Sequence, residues 1–299
     1  MEMNVQQAEH QALPPRDRSV WQRRLVRFLR AKPLAAFGAF IILILLSMAF
    51  FAEVIAPYPY NKSEVGESLQ PPSHQHWMGT DNQGRDIFSR VVYGARISMA
   101  ISLGAVLMGT LLATLVGTVS GYFGGTFDLL LQRVVDAWMA FPWLVLLVSI
   151  MAIVGRGIVN LTVVLGMLVA AEGSRVIRSA TLSVKEQTYM EAARAAGASH
   201  RRMLWRYIIP NVVAPIIITA TVSLGSVILA EASLSFLGFG VPPPYPSWGR
   251  MLNSSGRVFM VRAPWMVIWA GAAISLTVFA FNMVGDALRD MLDPRLRGS

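Results

Sequence analysis

The chain has 299 residues, 54% of them hydrophobic and 14% charged, with a mean hydropathy of +0.50. Soluble domains carry about 25% charged residues, so the body of the protein is a membrane protein and not a water-soluble enzyme. The net charge of +9 comes from arginines gathered between apolar runs, which is the positive-inside pattern and not a nucleic-acid face, and the lack of cysteine removes disulfides, thiolate catalysis and cysteine metal sites.

Residues 1–32 form a basic cytoplasmic tail, in which Arg16, Arg18, Arg23, Arg24, Arg27, Arg30 and Lys32 precede the first apolar run. Trp21, Leu25 and Phe28 recur at helical spacing, so 19–30 either lies as an amphipathic helix on the inner membrane face or stays a solvated tail. The first predicted span, 34–52, is uncharged and close to the ~20 residues that cross a bilayer. A cleaved signal peptide is the competing reading. The apolar core is long for one and no clear small-residue cleavage site follows, which favours a retained helix with its N-terminus inside.

Residues 53–93 are expected to form an external loop rich in turn residues. Within it runs Gly79-Thr80-Asp81-Asn82-Gln83-Gly84-Arg85-Asp86. Glycines with alternating carboxylates and guanidiniums suit a self-paired, hydrogen-bonded turn; contact with an external protein is the second reading. A metal site from His74, His76, Asp81 and Asp86 matches no ligand spacing, so no metal is expected. The second predicted span is 96–122. Its Ala105, Gly109, Ala113, Gly117 and Gly121 fall every fourth position, a stripe that lets a neighbouring backbone approach closely.

The third predicted span, 129–154, contains Pro142 as an expected kink, and the fourth is 158–177. Residues 179–210 are then cytoplasmic, with Lys185, Arg194, Arg201, Arg202 and Arg206. Ala192, Ala193, Ala195 and Ala196 favour a helix, Gly197 is its left-handed stop, and Ser199 caps a second short helix through Arg206. Ala193 is expected on an outward ridge that enters a groove on another protein. The fifth predicted span, 211–236, carries Glu231, a carboxylate well inside an apolar run that is either paired structurally or lines a pathway. An external loop, 239–263, and a sixth span, 264–287, complete the chain, with Trp265 and Trp269 at the outer boundary and Arg289, Arg295 and Arg297 at the inner one.

Glu191-Ala192-Ala193, three residues, Gly197 and, further on, Pro210 resemble the Glu-Ala-Ala loop of membrane permeases of ATP-binding-cassette importers. Tyr207 and Ile209 stand where that family usually has Ile and Leu, and both stay apolar. The Gly79–Asp86 stretch, the Leu-Gly-x-Gly and Trp-Gly pieces, and the C-terminal Gly285-Asp286 and Asp293-Pro294-Arg295 resemble its dipeptide, oligopeptide and nickel branch. The resemblance implies an all-α, six-span type I permease in the bacterial inner membrane with both termini cytoplasmic. It implies a heterodimer with a homologous permease, two cytoplasmic ATPases, an external solute-binding protein, and a coupling helix in the Glu191–Pro210 segment that docks on the cytoplasmic ATPase. It implies no catalysis and no cofactor in this chain, ATP and Mg being held by the ATPases; the chain has no Gly-x-x-x-x-Gly-Lys-Ser/Thr of its own. Uptake of peptides is the expected activity, with nickel or another small solute as the alternative. A secondary transporter, which would show inverted repeats, and an intramembrane hydrolase, which would need a base facing its nucleophile, are the rivals from other classes.

Overall fold

The computed structural model describes residues 32–253 and 258–292; the expected basic tail, including 19–30, and the C-terminal Asp293-Pro294-Arg295 stretch lie outside them. The fold is all-α, and no strand occurs among the described residues. The helices are α1 (Pro33–Phe50), α2 (Ala52–Ile55), α3 (Ile87–Phe123), α4 (Gly125–Met139), α5 (Trp143–Val154), α6 (Ile158–Lys185), α7 (Thr188–Ala195), α8 (His200–Arg202), α9 (Ile209–Phe236), α10 (Trp248–Leu252) and α11 (Trp265–Leu292). A π-helical stretch, Met203–Ile208, joins α8 to α9, so His200–Phe236 is one continuous helical rod. The short second helix expected to end at Arg206 is therefore the first turn of the fifth span. The π stretch has a local reason. Pro210 has no N–H, and its ring would crowd the carbonyl four residues back in a regular helix. Here Ile209 N–H reaches back five residues to Leu204 O, which shifts the register just before the proline.

Among the described residues five helices are long and apolar enough to cross a membrane, and a sixth crossing exists if α4 and α5, bent by 89° at their junction, count as one. Packing decides that they do. An added Cβ on α3 would meet α6 in ascending order, Gly104 against Thr162, Gly109 against Gly166, Gly117 against Ser174 and Gly121 against Thr181. The two helices are therefore parallel, and α4 with α5 must carry the chain back across the bundle. At 1.5 Å per residue the halves are roughly 22 and 18 Å long, and set at that angle they reach roughly 29 Å, close to the ~30 Å hydrocarbon thickness. The expected kink at Pro142 is thus a full break. Helix α3 starts at Ile87, ahead of the position 96 expected for its span, and at roughly 55 Å it projects beyond the hydrocarbon.

The parallel α3–α6 pair is the spine of the fold. All five stripe residues, Ala105, Gly109, Ala113, Gly117 and Gly121, are buried. A Cβ added at Gly109 would lie 2.5 Å from Gly166 O, and one at Gly117 would lie 2.7 Å from Ser174 O. The stripe packs inside this chain. Helix α6 answers with its own small residues, and a Cβ at Gly173 would sit 3.0 Å from Ala113 Cβ. Around the spine, Gly225 on α9 faces Asn282 on α11, and Gly38 on α1 faces Ala280 on α11. Lys32 Nζ pairs with Asp290 at 2.5 Å. One end of the bundle therefore gathers the starts of α1 and α9, the end of α11, and the 185–208 segment. The other end gathers the 56–86 loop, the 155–157 turn and residues 237–253.

Candidate functional site

At the first of these ends, α7 is short and amphipathic. Met190 and Ala193 point inward, whereas Tyr189, Glu191, Ala192, Arg194 and Ala195 are exposed. Met190 and Ala193 join Tyr122, Met203, Ile208 and Val212 in a small apolar core, which supplies the docking that so short a helix needs. Ala193 is only 8% exposed. It does not form the outward ridge expected from the sequence; Glu191, Ala192 and Arg194 do.

The helix closes in a Schellman motif. Gly197 takes φ +75°, its N–H donates to Arg194 O at 2.9 Å, and Ala198 N–H donates to Ala193 O at 3.0 Å. Ser199 Oγ then accepts from Arg202 N–H at 3.4 Å, capping the next helix. His200 Nδ1 lies 2.7 Å from Tyr122 Oη at the end of α3, so the turn is tied to the spine. Pro210 is exposed further along the same rod. Arg201, Arg202 and Trp205 border a shallow hollow beside Ser199. The segment is thus a helix and turn anchored on one side, with Glu191, Arg194, Arg201, Arg202 and Arg206 exposed.

At the opposite end the Gly79–Asp86 stretch folds onto itself. Gly79 and Gly84 take φ +77° and +65°, and a bridge joins Thr80 to Asp86. Thr80 Oγ1 donates to Glu67 O at 2.5 Å and accepts from Gln70 N–H at 2.8 Å. Asp81 accepts from Gln83 N–H at 2.8 Å, Arg85 N–H at 3.0 Å and Arg85 Nε at 2.6 Å. Asp86 caps α3 by accepting from Ser89 N–H at 2.8 Å, and its other oxygen lies 2.9 Å from His76 Nδ1. The carboxylates that a metal would need are committed to these partners, and among the described residues no group of three or more His, Cys, Asp and Glu side chains converges on a metal position.

Glu231 is fully buried, near the C-terminal end of α9. Its oxygens accept from Ser235 Oγ at 2.7 Å and Ser98 Oγ at 3.1 Å, and Ser247 also reaches it. Ser98 in turn accepts from Trp248 N–H at 3.4 Å, while the Trp248 indole donates to Val91 O at 3.0 Å. Glu231 thus clasps α3, α9 and the Ser247–Trp248 start of α10. Ser98, Ser247 and Trp248 were invisible as partners in the sequence because 150 residues separate Ser98 from Trp248. The one local signal was Trp248-Gly249. A Cβ at Gly249 would lie 2.4 Å from Ala232 O, so only glycine lets α10 press onto α9 there.

Residues 109–298 match the family described as binding-protein-dependent transport system inner membrane component, and residues 19–72 match the N-terminal transmembrane domain of oligopeptide transport permease C. A dipeptide transport system permease protein of Alkalihalophilus pseudofirmus is 39% identical over 288 residues, covering 95% of this chain and 94% of that one. A glutathione transport system permease protein of Escherichia coli is 42% identical over 286 residues, with the same coverage of 95% and 94%. A chain of the inward-facing MetNI methionine ABC transporter superposes with a TM-score of 0.57 at 17% identity, covering 68% of this chain and 96% of that one, and shares the fold.

Proposed function

Because this chain belongs to the family of binding-protein-dependent transport system inner membrane components, we propose that it imports peptides, from dipeptides to tripeptide-like solutes such as glutathione, as one permease of a heterodimer. Its relatives are named for dipeptide and glutathione transport, and the likeness covers almost the whole chain. The permease is a multi-pass inner-membrane subunit. It carries out no chemistry itself; hydrolysis of ATP belongs to two cytoplasmic ATPase subunits, and an external binding protein delivers the solute. The termini and the 185–208 segment face the cytoplasm. The concentration of Lys32, Lys185, Arg194, Arg201, Arg202 and Arg206 at one end of the bundle supports that orientation.

One observation carries the coupling role: α7 and its glycine turn present an exposed ridge of Glu191, Ala192 and Arg194 while being fixed to the spine through Met190, Ala193 and His200. A helix held that way transmits a push on its outer face to α3 and α9 as a rigid-body movement. The test is reconstitution of the complete transporter carrying Ala192→Trp or Gly197→Val. Both variants should fold and insert, yet lose uptake and the stimulation of ATPase activity by loaded binding protein. Retention of tightly coupled uptake by both would overturn the assignment.

A further inference from the structure

At the end of the bundle opposite α7, the loop cluster encloses a cavity of about 690 Å³. That size suits a small ligand, for which pockets run roughly 300–1,000 Å³. Its lining includes Met266, and its charged members are Arg85, Arg90, Arg156, Arg250 and Asp81. Four guanidiniums face one carboxylate, and that carboxylate is already committed. Arg85 Nε lies 2.6 Å and Arg90 Nε 3.7 Å from Asp81 Oδ2. Arg250 Nη1 donates to Val241 O at 2.9 Å, which anchors the side chain but leaves its charge unbalanced. Neither Arg250 nor Arg156 forms an ion pair among the described residues, and Arg156 is exposed. Burial, and then the nearby Arg85 and Arg156, hold the Arg250 guanidinium below its ordinary pKa. The protein therefore holds like charges together at its proposed outer face, against the positive-inside trend, with one carboxylate in the lining, Asp81, already shared by Arg85 and Arg90.

Like-charged arginines around a concave, partly desolvated space attract an anion, and a planar guanidinium fork matches a carboxylate. We infer that this cavity is a carboxylate-accepting site in which Arg156 and Arg250 take the carboxylate of the solute as it leaves its binding protein. This deepens the reading of the chain as a permease for peptides or related solutes and rests on it. The second source of the same chemistry is an acidic side chain of the binding protein; the small-molecule size of the cavity favours the free solute.

The test uses the complete transporter in phosphatidylcholine nanodiscs. Arginines are modified with phenylglyoxal, and the rate at Arg156 and Arg250 is read by peptide mass spectrometry. The probes are dialanine, its C-terminal amide and succinate, each without binding protein present. Dialanine and succinate should slow modification of Arg156 and Arg250 about tenfold, the equivalent of one charge-assisted hydrogen bond, while the amide should not. Arg156→Gln, whose side chain makes no hydrogen bond that the fold depends on, should abolish protection of Arg250. Arg250→Lys should keep the charge but weaken protection of Arg156. Equal protection by the amide, or none by any probe, would overturn the inference. Protection that appears only when unloaded binding protein is added would assign the site to an acidic side chain of that protein and overturn the solute version. Uptake of dialanine is measured in parallel. Its absence beside succinate protection would remove the peptide reading and leave the carboxylate site standing.

Discussion

Gly109→Ala is the sharpest test of the α3–α6 spine, because the added atom has no soft neighbour to displace. Its Cβ would lie 2.5 Å from Gly166 O and 2.6 Å from Val169 Cβ, a backbone carbonyl and a branch point. A carbon settles about 3.3 Å or more from a carbonyl oxygen, so the helices must part by roughly 0.8 Å. Overpacking of this kind costs about 1–3 kcal/mol. Alanine also gains about 1 kcal/mol of helix propensity over glycine, which would blur the result. Gly271→Ala in α11 removes that ambiguity. Nothing lies within 4 Å of a Cβ at Gly271, so this substitution reports the propensity gain alone. Subtracting one variant from the other leaves the overpacking cost. In thermal unfolding of the purified protein in detergent, Gly109→Ala should melt below Gly271→Ala by an amount equivalent to about 1–3 kcal/mol. Adding Gly117→Ala, whose Cβ would meet Ser174 O at 2.7 Å, should cost less than its single variant does. Helices already parted have made room for it. Equal stability of Gly109→Ala and Gly271→Ala would refute the close approach.

Ala193→Trp should lower thermal stability because it overfills the apolar core beneath α7, whereas Ala192→Trp, on the exposed face, should leave the melting temperature unchanged; a reversed order would show that the face is misread. Glu231→Leu leaves the Ser98 and Ser235 hydroxyls without their acceptor, at about 1 kcal/mol each when they can turn back onto helix carbonyls; it should sensitise the Ser247–Leu252 region to protease, while Glu231→Gln should not. In this cysteine-free chain, a thiol at Ser199 should react with an impermeant maleimide only from the cytoplasmic side and one at Glu64 only from outside; labelling of position 199 in intact cells would invert the topology.

Much of the bundle was legible because its signals are local. The small-residue stripe from Ala105 to Gly121 and the Gly197 stop each depend on spacing within one helix or turn, and their local structure follows that spacing. What escaped the sequence depends on neighbours far along the chain. Ala193 belongs to a helix-forming run whichever way it faces, and only its contact with Met203 and Ile208 turns it inward. The second short helix was expected to end at Arg206, whereas the π stretch just before Pro210 absorbs the proline and lets the rod continue. Glu231 announced itself as an anomaly in an apolar run, but its serines come from α3, α9 and the start of α10. Arg156 and Arg250 stood in separate outer loops, and nothing in the sequence says that those loops meet.

The 89° break between α4 and α5 also says where lipid cannot be. A straight helix brings its own hydrogen-bond partners into oil, whereas a broken one leaves the last carbonyls of one half and the first amides of the other without them. At this corner Ala140 N–H still returns to Asp136 O and Leu146 N–H to Pro142 O, but the peptide groups between belong to neither ladder. Acyl chains offer such groups nothing. Phe141 and Trp143 nevertheless lie exposed beside them, 60% and 43% accessible in the isolated chain. An apolar rim around unsolvated backbone is a surface that the bilayer alone leaves unfinished. It calls for another protein wall or a thread of water at that depth, so the subunit is shaped for company even before any partner is identified.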